Sequence, residues 1–237
     1  MKLTLLIPTY NEEEIIKSTL IQVLNYLSKQ KYSWEVLVVD DGSTDNTPKI
    51  VEGFRKKGVR LETLSENKGK GAALKVGVKS AGGEYIIFSD ADLSVPIENI
   101  ERFLHELDKQ DVVIGSRRAS GAIIEVHQPW LRENMGRVFT YISKIITNTK
   151  ISDFTCGFKG FAAVVAKDIF ERSQVERWSY DAEILYLASK LGYSIKELPV
   201  TWKNRKDSRV ALAKDIATSL RDLLRVRLND FFGKYDE

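Results

Sequence analysis

The sequence holds a single cysteine, Cys156, in 237 residues. An intramolecular disulfide framework is excluded, and the usage fits a reducing compartment. Histidine is scarce too, at two, so a structural zinc site built from Cys and His cannot be closed. Long apolar runs are missing. No window approaches ~18 consecutive apolar residues, so no transmembrane helix is expected. The apolar run at residues 3–7 is too short for a secretory signal, and no small-residue cleavage site follows it. Neither sign of charge dominates, since 36 Lys and Arg face 33 Asp and Glu for a formal net charge of +3. That balance gives no reason to expect a nucleic acid partner. The expected place is the cytoplasm, peripheral on the cytoplasmic face of a membrane.

What is present is an alternation of strands and helices. Short apolar strands are expected at residues 3–7, 35–39, 59–64, 84–88 and 111–115, with helices at 12–28, 47–57, 69–80 and 96–109 between them. Such alternation means an α/β fold with a mostly parallel sheet. The strands are apolar throughout, as expected when helices cover both faces. Further on come a polar loop (116–129), a helix (131–147) and an irregular "DFTCGFKGF" segment. Helices near 164–173 and 180–191, a strand at 195–200 and a last helix at 209–232 complete the chain. The expected organisation is one domain over residues 1–208 and an amphipathic helix over 209–237.

In open α/β sheets, ligands bind outside the carboxyl ends of the strands. Polar clusters fall at each of these ends: "TYNEE", "DDGSTD", "SENKGKG", "SDADLS" and "GSRR". The fourth is the most pointed. Asp90 and Asp92 lie two positions apart after a buried strand, and two carboxylates there suit Mg²⁺ or Mn²⁺ bridging to phosphate. A solvated turn capping the next helix is the competing reading. Asp40 and Asp41 end another buried strand, where they can accept from a base N–H or ribose hydroxyls, or simply cap. "NKGKG" lacks the Gly-Lys-Ser/Thr of a nucleotide-binding P-loop, although its glycines can admit an anion to a helix N-terminus.

Arginine forks grip phosphates in pairs. Arg117, directly after the fifth strand, is the first candidate for that role, with Arg118 and Arg132 nearby in sequence. His127 reads as an exposed loop residue and Cys156 as a packed one. Asp181 opens a helix, where it either favours the dipole or serves as a base for an acceptor. The last helix carries an apolar stripe with arginines interspersed. It either covers the domain or lies on a membrane surface, and helix 131–147 can join it.

"LLIPTYNEE", "VLVVDDGSTD", "NKGKGAAL", "DADLS" and "VIGSR", in this order, resemble family 2 glycosyltransferases of the GT-A fold. "QPWLRENMGRVF", "DFTCGFKGF", "VERWSYDAEILYLASKLGY" and "ELPVTWKNRKDSRV" resemble the dolichyl-phosphate β-glucosyltransferase branch, with dolichyl-phosphate mannose synthases close by. The resemblance implies an inverting, Mg²⁺- or Mn²⁺-dependent enzyme moving a hexose from a nucleotide sugar to a polyprenyl or dolichyl phosphate. Glucose from UDP-glucose is favoured, and mannose from GDP-mannose is the alternative. It implies a nucleotide-sugar half (1–118) and an acceptor half (119–208). By resemblance, Pro8, Tyr10, Glu12, Val39, Asp41 and Lys68 hold the nucleotide, and Asp90, Ala91 and Asp92 the diphosphate and metal. Arg117 and Arg132 match arginines between donor and acceptor phosphates, and Arg205, Ser208 and Arg209 a basic acceptor loop. Ser94 stands where mannose synthases often carry glutamine, which puts a third protein ligand in question. Asp181 acts as base only if the acceptor is a hydroxyl. The contrasting expectation is a non-enzymatic regulatory module with an acidic pocket, which leaves "DADLS" and "GSR" unexplained. No G-x-G-x-x-G supports a dinucleotide oxidoreductase.

Overall fold

The structure is a computed structural model that describes residues 1–127, 129–177, 179–204 and 212–236, except for the side chains at 131, 132, 212–217, 219 and 220. Its first half runs β1 (Leu3–Thr9), α1 (Ile16–Leu27), β2 (Trp34–Asp40), α2 (Thr47–Glu52), β3 (Val59–Thr63), α3 (Lys70–Ser80), β4 (Tyr85–Phe88), α4 (Ile100–Leu107) and β5 (Val112–Ser116). Strand β6 (Ile123–Val126), helix α5 (Trp130–Thr147), strand β7 (Lys159–Ala162) and helices α6 (Ala163–Arg172) and α7 (Tyr180–Lys190) follow. The chain closes with β8 (Ile195–Pro199), β9 (Thr201–Lys203) and α8 (Leu212–Phe231).

Seven strands form one sheet in the order β3-β2-β1-β4-β7-β5-β8, and β6 pairs with β9 beside it. All but β7 run the same way. The loops after β1 to β5 therefore gather at one edge. The order reverses at β1, with β2 on one side and β4 on the other, which opens a crevice at that edge.

The strands alternate their buried side chains between two cores. Leu6, Val39, Ile86 and Phe88 face the layer with α3, α6 and α7. Leu5, Ile7, Val38 and Ile87 face the layer with α1 and α4. Phe88 packs on Phe161 and Phe170, with ring centroids 5.1 and 5.6 Å apart. Both faces of β4 are thus filled, and its end is a rigid platform.

Two expectations are corrected here. Part of the "irregular" segment forms β7, wedged antiparallel between β4 and β5. Residues Lys159 and Gly160 are poor strand formers, so pairing on both sides, not local propensity, makes this strand. The expected polar loop contains β6, which owes its existence to β9. Among the described residues, no helix is long and apolar enough to cross a membrane.

Candidate active site

The loop leaving β4 holds the two carboxylates. Asp90 pairs with the Lys70 ammonium, which projects from the first turn of α3. Burial alone would raise the Asp90 carboxyl, but Lys70, and behind it Lys159 and Arg117, more than offset this and hold it below its ordinary range. Lys70 in turn stays charged well above its own range, because Asp90, Tyr180 and Asp181 outweigh its burial. The backbone at Gly157 lies flat against the Asp90 carboxylate: a Cβ there would sit 1.9 Å from Oδ2.

Asp92 is held from its own loop. Ser94 donates its N–H to Oδ1 at 2.8 Å and its hydroxyl to Oδ2 at 2.6 Å. Leu93 between them takes a left-handed φ of 49°, and the Ala91 carbonyl accepts from the Thr19 hydroxyl at 2.5 Å. The loop is therefore tied to α1 and to itself. Ser94 orients Asp92 and occupies one lone pair on each oxygen.

The second carboxylate pair lies at the end of β2. Asp41 accepts from the N–H groups of Lys68 (2.9 Å) and Gly69 (2.8 Å) and from the Asn67 amide (2.9 Å). Burial nevertheless leaves its carboxyl above the ordinary range. Asp40 accepts from Ser43 and Thr9. Gly69, at φ 115° and against the Glu176 carbonyl, admits the turn that carries Lys68 to Asp41. Asn11 and Glu12 donate their N–H groups to Ser43 and Thr47 at 2.7 Å each. Pro8 is half-buried at the end of β1, Tyr10 is exposed on the same loop, and Val39 is buried in β2.

Across the crevice, Arg117 follows β5. Its Nε and one terminal nitrogen grip both oxygens of Asp153 at 2.7 Å, and that nitrogen also donates to Thr155. The guanidinium lies 5.4 Å from the Trp202 ring. Asp153 is fully buried, and although burial opposes it, Arg117 pulls its carboxyl down to about 2. Glu197 gathers the N–H groups of Ser152 and Asp153 and the Ser152 hydroxyl, fixing this loop. Beneath the site, buried Lys159 pairs with Asp181 and donates to the Cys156 carbonyl at 2.6 Å. Cys156 is buried, and its thiol is pushed up to about 11.

The structure thus brings Asp90, Asp92, Arg117 and Asp181 to one edge, with Pro8, Tyr10, Glu12, Val39, Asp41 and Lys68 on its β1–β2 side. Arg117 reaches the site already gripped by Asp153. Arg205, Ser208 and Arg209 lie outside the described residues, and Arg132 is placed on α5 with its side chain outside them. Sequence reasoning missed Lys70, Asp153, Gly157 and Lys159. Position at the start of a helix beside a glycine was a signal for Lys70. The others sit in the segment read as irregular.

Among the described residues, no three His, Cys, Asp or Glu side chains converge as a closed metal site. Asp90 and Asp92 form an open set of two carboxylates with lone pairs to spare. That set fits Mg²⁺ or Mn²⁺, which commonly takes one or two carboxylates and completes its shell with phosphate and water.

The glycosyl transferase family 2 profile matches residues 4–170. A dolichyl-phosphate beta-glucosyltransferase of Dictyostelium discoideum is 33% identical over 98% of this chain and 75% of its own length. The Homo sapiens protein of that description is 31% identical over 99% of this chain and 77% of its own. Among solved structures, glucosyl-3-phosphoglycerate synthase of Mycobacterium tuberculosis, in complex with Mn²⁺, UDP and phosphoglyceric acid, superposes with a TM-score of 0.69. It is 16% identical, over 96% of this chain and 78% of that one. S. aureus TarS with UDP-GlcNAc gives 0.60 at 24% identity, over 97% and 67%. The chain belongs to glycosyl transferase family 2 and has the GT-A fold of these enzymes.

Proposed function

We propose that this protein transfers glucose, with inversion, from UDP-glucose to dolichyl or another polyprenyl phosphate. The observation that carries this reading is the extent of the likeness. Relatives described as dolichyl-phosphate beta-glucosyltransferases align over 98–99% of the chain, acceptor half included.

The geometry supports it. A lipid phosphate arrives ionised, since its second pKa is ~6. The bond from the anomeric carbon to the diphosphate oxygen breaks with its electron pair leaving on the diphosphate. The acceptor phosphate oxygen forms the new bond from the opposite face, and no proton has to move. The chain's task is then to hold two anions close together. Asp90 and Asp92 would hold the divalent cation, which when bound neutralises charge on the leaving diphosphate. Lys70 adds a fixed positive charge beside Asp90. Pro8, Tyr10, Val39 and Asp41 frame the nucleotide, with Glu12 and Lys68 at the rim. Arg117 stands on the far side with its charge balanced by Asp153, and Arg132, Arg205, Ser208 and Arg209 are assigned to the acceptor phosphate.

The acceptor's prenyl chain requires a bilayer near the site. Helices α5 and α8 pack against each other. Val138, Tyr141 and Ile145 on α5, and Leu224, Leu228 and Phe231 on α8, are exposed at helical spacing. We assign this face to a peripheral position on the cytoplasmic side of the membrane.

The test uses purified protein with Mn²⁺ or Mg²⁺, polyprenyl phosphate, and either UDP-glucose or GDP-mannose. Glucosyl lipid and UDP are expected only when cation and lipid phosphate are both present. Use of GDP-mannose alone would replace the donor, and UDP release that ignores the lipid phosphate would overturn the acceptor. Asp92→Ala is expected to lose cation-dependent turnover by at least ~10²-fold; near-normal rates would sink the metal assignment.

A further inference from the structure

Asp181 is the residue that the sequence offers as a base for a hydroxyl acceptor. It opens α7, directly after Tyr180, whose ring lies 5.9 Å from the Lys70 ammonium. Through Lys70 and Tyr180 it belongs to the charge cluster around Asp90. Yet its carboxylate is not free. Lys159 is 1% exposed and Asp181 5%, and the two are in direct contact. Among the described residues the ammonium donates to no second carboxylate, and its other acceptor is the Cys156 carbonyl.

A buried ion pair of this kind is hard to justify as a source of stability. Two apolar residues of similar volume are often as good or better. Nor does β7 call for lysine at this position, since its neighbours Phe88 and Ile114 in the sheet are apolar. The pair is better explained by what it does to Asp181. A base must present a lone pair to the acceptor proton. An ammonium in direct contact with the carboxylate occupies the lone pair that a base would offer.

We infer that Lys159 is a positioning residue that sets acceptor class: it engages Asp181, withholds a base from hydroxyl acceptors, and so reserves the site for acceptors that arrive ionised. The inference rests on the lipid-phosphate reading above and deepens it. Transfer to a hydroxyl forms the same bond to the anomeric carbon but must also send the hydroxyl proton to a base. Transfer to a phosphate needs no such step. Five charged or titratable groups face Asp181 or its partner: Lys159 from β7, Lys70 from α3, Tyr180 from α7, Asp90 from the β4 loop and Cys156 from the segment before β7.

The experiment compares wild type, Lys159→Met, Lys159→Met/Asp181→Asn and Asp181→Asn. Each is given the donor that wild type uses, with polyprenyl phosphate or polyprenol as acceptor, from about pH 5.5 to 9. Wild type is expected to favour the phosphate by more than ~10³. Lys159→Met is expected to narrow that ratio at least tenfold, through new transfer to polyprenol or water that rises with pH. Adding Asp181→Asn should abolish the gain. An unchanged ratio in Lys159→Met overturns the inference. If Lys159→Met does not fold, Asp181→Asn decides. With polyprenyl phosphate it is expected to lose less than tenfold in kcat, with an unchanged pH profile. A loss of ~10²–10⁴, the usual worth of a base, with disappearance of the rising pH limb, overturns it. The acceptor reading fails separately: wild type would then glycosylate polyprenol and not polyprenyl phosphate.

Discussion

At the scale of single residues, the site is defined by close approaches and fixed charges. Gly157 has no room for a side chain, because a Cβ would overlap the Asp90 carboxylate. Gly157→Ala is expected to push Asp90 aside while leaving the fold intact. Groups that orient metal ligands typically account for 10–100-fold in affinity. A rise of about that size in the Mn²⁺ concentration for half-maximal turnover, with a melting temperature within a few degrees of wild type, checks it. Asp153 gives a pH prediction. Its folded carboxyl titrates at about 2, below the ordinary 3.8. Its pairing with Arg117 is therefore fully stabilising above pH ~4 and is lost as pH falls from about 4 to about 2, a contribution of about 2–3 kcal/mol. Denaturant midpoints should fall across that window in wild type. Asp153→Asn should be less stable at neutral pH and lose this part of the acid dependence.

At the scale of elements, the first half of the chain was legible, and so were α5 to α8 and β8 in the second, but β6 and β7 were not, for a physical reason. Strands β1, β2, β4 and β5 are short, continuously apolar and followed by turn residues, so local pattern marks them. Asp90, Asp92 and Asp41 were legible because they directly follow such strands. Strand β7 carries Lys159 and Gly160, and only its neighbours make it a strand. The missed residues Asp153, Gly157 and Lys159 depend on that element, so they were missed with it. Helix α8 shows a further tertiary effect. Its amphipathic stripe was readable, but not that the chain beyond it tucks Tyr235 fully into the core. There the Tyr235 hydroxyl donates to buried Glu183 at 2.6 Å, and Gln174 and Val175 donate their N–H groups to the same carboxylate. Burial leaves the Glu183 carboxyl above its ordinary range despite these donors. Tyr235→Phe removes one of them, at a cost of about 1–3 kcal/mol. Thermal melts should drop by ~2–4 °C per kcal/mol. The folded carboxyl is raised and the variant raises it further, so stability is lost as pH rises above ~4. The deficit should accordingly be largest at neutral pH and shrink in acid, where Glu183 is protonated.

At the scale of the whole molecule, the proposed function assigns the sheet edge and the exposed helical face to two phases. The edge gathers carboxylates and cations, which the proposal gives to a water-soluble nucleotide sugar. The α5–α8 pair exposes aromatic and aliphatic side chains that no described part of the chain covers. Arg221 and Arg227 on α8 and Arg137 on α5 are exposed on the same two helices, each paired with a carboxylate of its own helix. If this face meets a membrane as proposed, apolar insertion and attraction to anionic lipid act together. The two contributions separate by their response to salt, since only the second is screened. Sedimentation with vesicles should show stronger binding to phosphatidylserine-containing membranes than to phosphatidylcholine alone, and 0.5 M salt should remove the difference but not all binding. Ile145→Glu/Leu228→Glu deletes two apolar anchors, each worth about 1.5–3 kcal/mol when fully buried. It should weaken vesicle binding at least tenfold while turnover of a detergent-dispersed short-chain acceptor stays near wild type. Undiminished vesicle binding in that variant would mean that another surface meets the membrane.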